Sequence, residues 1–135
     1  MDPKRLKKIL DAHKLWLETN GQNGEMADLS GADLSGADLS GANLRRAILR
    51  GADLDFSCFP LWCGGLSVHI EDRQAIQLLY HLLYNVRFSK NTSAALKEVL
   101  LTKDMIEKAN KFHRTECTRI ELPAEEEDIN YGKEG

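Results

Sequence analysis

The chain has 135 residues, 42% of them apolar and 29% charged, with a formal net charge of −3. These values exclude a fibrous or wholly disordered chain, leave room for one modest core, and exclude the overall basic field of a nucleic-acid binder. No run approaches the roughly 18 apolar residues of a membrane span, the opening Asp2-Pro3-Lys4-Arg5 has no signal-peptide core, and an odd number of cysteines does not close a disulfide framework, so a cytoplasmic protein is expected.

Residues 1–22 read as an N-terminal capping helix. Leu6, Ile9, Leu10, His13, Trp16 and Leu17 recur at helical spacing. Asp2 suits the N-cap, Pro3 the first helical position and Asn20-Gly21 the end. Lys4, Arg5, Lys7 and Lys8 alternate around what reads as a solvated face. His13 sits near apolar positions, where a packed core histidine is the simplest reading.

From Ala27 the sequence runs ADLSG, ADLSG, ADLSG, ANLRR, AILRG, ADLDF, SCFPL and ends at Leu61. A period of five fits neither the 3.6 of a helix nor the 2 of a strand. A small residue and a large apolar residue at fixed places in each unit require a chain that turns once per unit and stacks its large residues along one axis. Residues 23–65 thus form a repeat segment.

These units resemble the pentapeptide-repeat family. The resemblance implies a right-handed quadrilateral β-helix with four units per coil, the first-position Ala and third-position Leu facing inward. Residues 20 apart then stack: Leu29 with Leu49, Leu34 with Leu54, Leu39 with Phe59, and Asp33 with Asp53. The repeats cover 35 of 135 residues, under two coils. So short a stack exposes a polar backbone edge and an apolar cross-section at each end, and both need caps. The expected fold is therefore mixed: a short β-helix capped by the N-terminal helix and by a C-terminal helical module.

That module is assigned to residues 66–122. A short strand is expected over 66–70. A helix follows over 72–88, with Ala75, Ile76, Leu79, Leu82, Leu83 and Val86 on its buried face. A second helix spans about 93–101, capped by Asn91 or Thr92 and carrying Leu96, Val99 and Leu100. A third spans about 103–113, capped by Thr102, with Met105, Ile106, Ala109 and Phe112. His81, near apolar positions of the first of these, reads like His13 as a core histidine. Residues 123–135 are acidic, poor in apolar groups and expected to be disordered.

Four groupings carry possible chemistry. Asp28, Asp33, Asp38 and Asp53 share the second position of their units, with Asp55 nearby. In longer members of the family, carboxylate ladders imitate DNA phosphates. Here Ile48 interrupts one column and Arg45, Arg46 and Arg50 dilute the charge, so a solvated polar face explains the same residues. Cys58 and Cys63 flank the exit from the repeats, and His113 and Cys117 lie four apart; brought together, the four would make a closed, structural zinc site. Any Cys/His nucleophile lacks a local signature, and no phosphate-binding glycine loop is present, because the glycines recur with the repeat. Trp62 with Phe56 and Phe59, and Tyr80 with Tyr84, offer aromatic anchors.

The stretch DFSCFPLWCGGL and the later FHRTEC also resemble the tail of small pentapeptide-repeat proteins of Firmicutes and their phages. The resemblance implies a module of unknown biochemistry of phage or mobile-element origin, for which the expected role is that of a non-enzymatic modulator or inhibitor of a host macromolecule, such as a DNA-handling or defence protein. Asp28, Asp33, Asp38, Asp53, Asp55 and Trp62 would form the contact surface on a host protein. Homo-oligomers are compatible with the sequence; membrane insertion and direct nucleic-acid binding are not expected. The alternative is a small-molecule or nucleotide binder with a pocket between coil and helices and Arg45, Arg46, Arg50 and Arg73 as anion contacts. An enzyme built on Cys and His is the third class.

Overall fold

A computed structural model describes residues 1–112 and 118–122. The elements among them are α1 (Pro3–Glu18), a single 3-10 turn (Cys63–Gly65), α2 (Asp72–Phe88), α3 (Ala94–Leu100) and α4 (Lys103–Ala109). The chain divides into two compact units, Met1–Gln74 and Ala75–Gly135. The boundary falls inside the first turn of α2. Residues 66–74, assigned from sequence to the helical module, thus lie with the repeats.

The first unit is built on a 20-residue register. Parallel bridges join Asp28 to Ile48, Asp33 to Asp53 and Asp38 to Cys58. Each is closed by two hydrogen bonds: at the third, Leu39 N–H donates to Cys58 O and Cys58 N–H to Ala37 O, both at 2.9 Å. The stacking expected of residues 20 apart is present, Asp33 over Asp53 included. Among the described residues these are isolated bridges, not continuous strands. The reason is local: after each third-position residue the chain turns, with Ala32 N–H donating to Leu29 O, Ala37 to Leu34 and Ala52 to Leu49. Only about one residue per unit remains free to pair with the next coil.

Several of these turns place their third residue at positive φ, the left-handed region that favours glycine. Gly31, Gly36 and Gly51 fill it, but so do Arg46 (φ 65°) and Phe56 (φ 60°). Arg46 lays its guanidinium over the Trp16 ring of α1, 4.7 Å from the centroid, which holds the unusual corner in place.

Inside the coils Leu29, Leu34, Leu39, Leu44, Leu49 and Leu54 are buried, with Ala27, Ala47 and Ala52. The register continues past the repeat sequence. Leu44 N–H reaches Gly64 O, Leu49 N–H reaches His69 O, and Ile48 bridges His69. Earlier donors and acceptors lie 19 apart (39 to 58), whereas 44 to 64 is 20, so one extra residue enters between Cys58 and Gly64. Leu61, 93% exposed, stands out from the coil in this interval. The strand expected over 66–70 is this single bridge at His69.

Both ends are capped by buried polar side chains. At the first end, Asp2 caps α1 by accepting from Lys4 N–H, and Leu6, Ile9 and Leu10 pack on the leucine stack. His13 is fully buried. Its Nδ1 accepts from Ala27 N–H at 3.0 Å and its Nε2 faces Arg45 O at 2.8 Å. The hydrogen is therefore on Nε2, and the ring is neutral with both nitrogens satisfied. Gly24 (φ 73°) passes so close to α1 that a Cβ there would sit 2.3 Å from Ala12 O. At the other end Gln74 is fully buried. Its Nε2 donates to Leu49 O and Ala52 O, both at 2.9 Å, and its Oε1 accepts from Glu71 N–H. This third helical residue thus reaches back as in a capping box while closing the coil.

The second unit packs Tyr80, Leu83, Ile106, Ala109 and Ile120 together. Tyr80 Oη donates to Thr118 O. Ala75 and Leu82, expected on the buried face of α2, are exposed, and Tyr80 is buried instead. His81 is also exposed, against its expected core position; its Nδ1 faces Gln77 O one turn back. Ser93, not Asn91 or Thr92, caps α3 by accepting from Leu96 N–H. Thr102 caps α4 as expected, but the helix stops at Ala109. Asn110 ends it because its side chain clamps Ile120, donating to Ile120 O at 2.8 Å and accepting from Ile120 N–H at 2.9 Å. Among the described residues, no buried side-chain nitrogen or oxygen lacks a partner, and no helix is long and apolar enough to cross a membrane. The acidic segment 123–135 lies outside the described residues.

Two expectations follow. Leu44→Ala removes a fully buried side chain from the middle of the stack and should cost about 2–5 kcal/mol in urea unfolding. Burial, with the positive Arg46 as a smaller cause, lowers the His13 pKa below its usual 6.5 against the raising effect of the Arg45 carbonyl. The unfolded chain then binds the proton first as pH falls, so stability is complete above pH 6.5 and declines below it. His13→Gln should flatten that decline in melting curves taken between pH 7 and 5, while lowering stability throughout.

Candidate functional site

The repeated carboxylates have a local task. Asp28, Asp33 and Asp38 each accept from the backbone N–H and the hydroxyl of the serine two residues on, Ser30, Ser35 and Ser40. Asn43 and Asp53 accept the equivalent backbone N–H of Arg45 and Asp55. These side chains brace the corners of the coil, which is why Asp, Asn and Ser recur there. The serine hydroxyl, and then the serine N–H, lower the pKa of Asp28, Asp33 and Asp38 below the usual carboxylate value. The three exposed groups therefore carry full charge at neutral pH, in fixed positions.

Their arrangement is not one ladder. Asp33 over Asp53 is the one vertical Asp pair in the bridges. Asp28 stands over Ile48 and then His69, and Asp38 over Cys58. Consecutive units lie on different sides of the coil, so the carboxylates are distributed around it. Asp53 also meets Arg73 at 3.8 Å.

The four arginines do not converge. Arg46 is engaged with Trp16, Arg73 with Asp53, and Arg45 and Arg50 are exposed. Cys58 and Cys63 are both exposed free thiols. Among the described residues no group of three or more His, Cys, Asp or Glu is placed to hold a metal ion; His113 and Cys117, the other half of the zinc set, lie outside them. Trp62 is half exposed, and its indole N–H reaches across one coil to Ala42 O at 3.0 Å. Phe56 is 77% exposed on its left-handed corner.

The sequence did not reveal a groove of about 790 Å³ within the first unit. One wall is α1, with Leu10 and Leu17. The other is the open rim of the first coil, with Ala37, Gly41, Ala42 and Trp62. Asp33 and Asp38 stand on the rim, while none of the four arginines lines the groove. No signal for it lies in the repeat, where Ala32, Ala37 and Ala42 read like Ala47 and Ala52, yet the first three are only partly buried and the last two are covered. A single helix is too narrow to cover the whole end of the coil.

Comparison with curated proteins and with solved structures gives no match. A family model described as pentapeptide repeats (8 copies) matches residues 27–60, the span that holds the ADLSG-type units. Residues 27–60 of this chain are therefore pentapeptide repeats.

Proposed function

We propose that this chain is a non-enzymatic binding protein that docks on a basic protein partner, acting as a modulator or inhibitor of a host DNA-handling or defence protein of the kind phages and mobile elements target. The observation that carries this reading is the set of serine-braced, ionised carboxylates Asp28, Asp33 and Asp38 on a coil whose core is closed. A preorganised charged surface loses little conformational freedom on binding, and complementary charge steers the encounter. We read the scaffold as a right-handed quadrilateral β-helix; the support is its 20-residue register and the turn in each five-residue unit. A small-molecule ligand is the second reading, favoured by the groove volume, which lies in the range of ligand pockets.

The test is affinity capture from a bacterial lysate with the full chain, followed by binding measurements on the captured partner. Affinity should fall steeply between low and high salt. Asp28→Asn, Asp33→Asn, Asp38→Asn and Asp53→Asn combined should weaken binding by about tenfold or more. The melting curve should change little, because Asn43 already braces one corner in the same way. Unchanged affinity would reject the anionic surface. A melting temperature raised by a metabolite, with no protein captured, would favour the small-molecule reading.

A further inference from the structure

The rim of the groove is an unfinished ladder. In each bridge a second-position residue of the second coil turns both its N–H and its C=O toward the coil above. Ile48 does so against Leu29 and Ala27, and Cys58 against Leu39 and Ala37. By the same alternation Asp28, Asp33, Asp38 and Asn43 point their backbone groups away from the second coil. The Met1 ammonium donates to Asp33 O at 2.7 Å. Among the described residues, nothing pairs with the N–H or C=O of Asp38 or Asn43, and both residues line the groove. An edge of this kind accepts an added strand.

The lining also fixes the charge of what is added. Lys7 is paired with Asp11 at 2.7 Å and Lys14 with Glu18 at 3.8 Å, so the two lysines of α1 that line the groove are answered on α1 itself. The Asp38 carboxylate is held ionised by Ser40 and has no cationic partner among the described residues. A residue paired above Asp38 would stand one strand spacing away, about 4.8 Å, with its side chain leaving beside that carboxylate. Its two neighbours would point inward over Ala37 and Leu39, on the side of the groove that faces Leu10 and Leu17.

We infer that the groove between α1 and the first coil binds an extended segment of a partner protein by strand addition at Asp38, with the pattern apolar–basic–apolar. The inference rests on the protein-binding reading above and names the surface that carries it. Backbone pairing supplies the affinity, and the Asp38 carboxylate selects Lys or Arg at the central position.

The probe is the blocked peptide Ac-Ala-Val-Lys-Val-Ala-NH2, titrated into the full-length, ¹⁵N-labelled chain. Saturable shifts should appear at the amides of Asp38 to Asn43, with a Kd at or below about 1 mM. Replacing the central Lys by Glu should weaken binding by about tenfold or more, and Asp38→Asn should remove that preference. Methylating the peptide nitrogen of the residue after the central Lys should abolish the shifts, since in a parallel ladder that N–H is the donor to Asp38 O. Gly41→Leu should block binding without disturbing the fold, because Gly41 has no positive φ and a Cβ there meets nothing within 4 Å. Absent shifts, shifts confined to other residues, or equal affinity for the Lys and Glu peptides would each overturn the inference. A partner captured from lysate that binds Gly41→Leu undiminished would overturn it too, while leaving the protein-binding reading in place.

Discussion

A stack of two coils has one internal ladder and two open ends, and the ends decide whether it stands. Each end presents backbone groups that have lost water and an apolar cross-section that must be covered. Here the two most demanding places are met by single buried side chains. His13 answers Ala27 N–H and Arg45 O at one end; Gln74 answers Leu49 O and Ala52 O at the other. Both belong to helices: α1 is joined to the coil by directional bonds as well as by apolar packing, and the first turn of α2 by the directional bonds of Gln74. A neutral imidazole with one donor and one acceptor fits the first end, and an amide with two donors fits the second.

The capping is unequal, and that inequality produces the groove. At the far end the chain itself continues the register through Gly64 and His69 before α2 begins. At the near end a single helix lies over the opening and covers the side near Leu6 and His13 more fully than the side near Ala37 and Ala42. The uncovered rim keeps its backbone groups, its small residues and its carboxylates. Stability and the proposed strand addition thus concern the same edge: closed where α1 bonds to it, open where α1 does not reach.

The carboxylates show how one residue type serves two ends. Their lone pairs hold the corners through Ser30, Ser35 and Ser40, and the same bonds keep them charged. A repeated Asp therefore serves the corner before it is a recognition feature, and Asn43 can take the same structural part. What makes a particular Asp available to a partner is its place on the coil: Asp53 is answered by Arg73, whereas Asp38 stands on the open rim.

The resemblance of the repeat units to the pentapeptide-repeat family implied the inward Ala and Leu and the stacking at 20 residues. The amino-acid sequence alone determined the five-residue period and the helix beginning at Pro3, and both follow from local chemistry along the chain. Thr102 as a cap and Asp72–Phe88 as a helix were legible for the same reason. Tertiary structure decided the rest. Tyr80 rather than Leu82 is buried because partners from α4 and Ile120 lie on that side of α2. The coil runs on to His69 because backbone bonds do not require the repeat's side chains. The groove, the open edge at Asp38 and the dispersal of the carboxylates depend on where α1 comes to rest and on which side of the coil each unit faces, and neither is written in the pattern of any single unit.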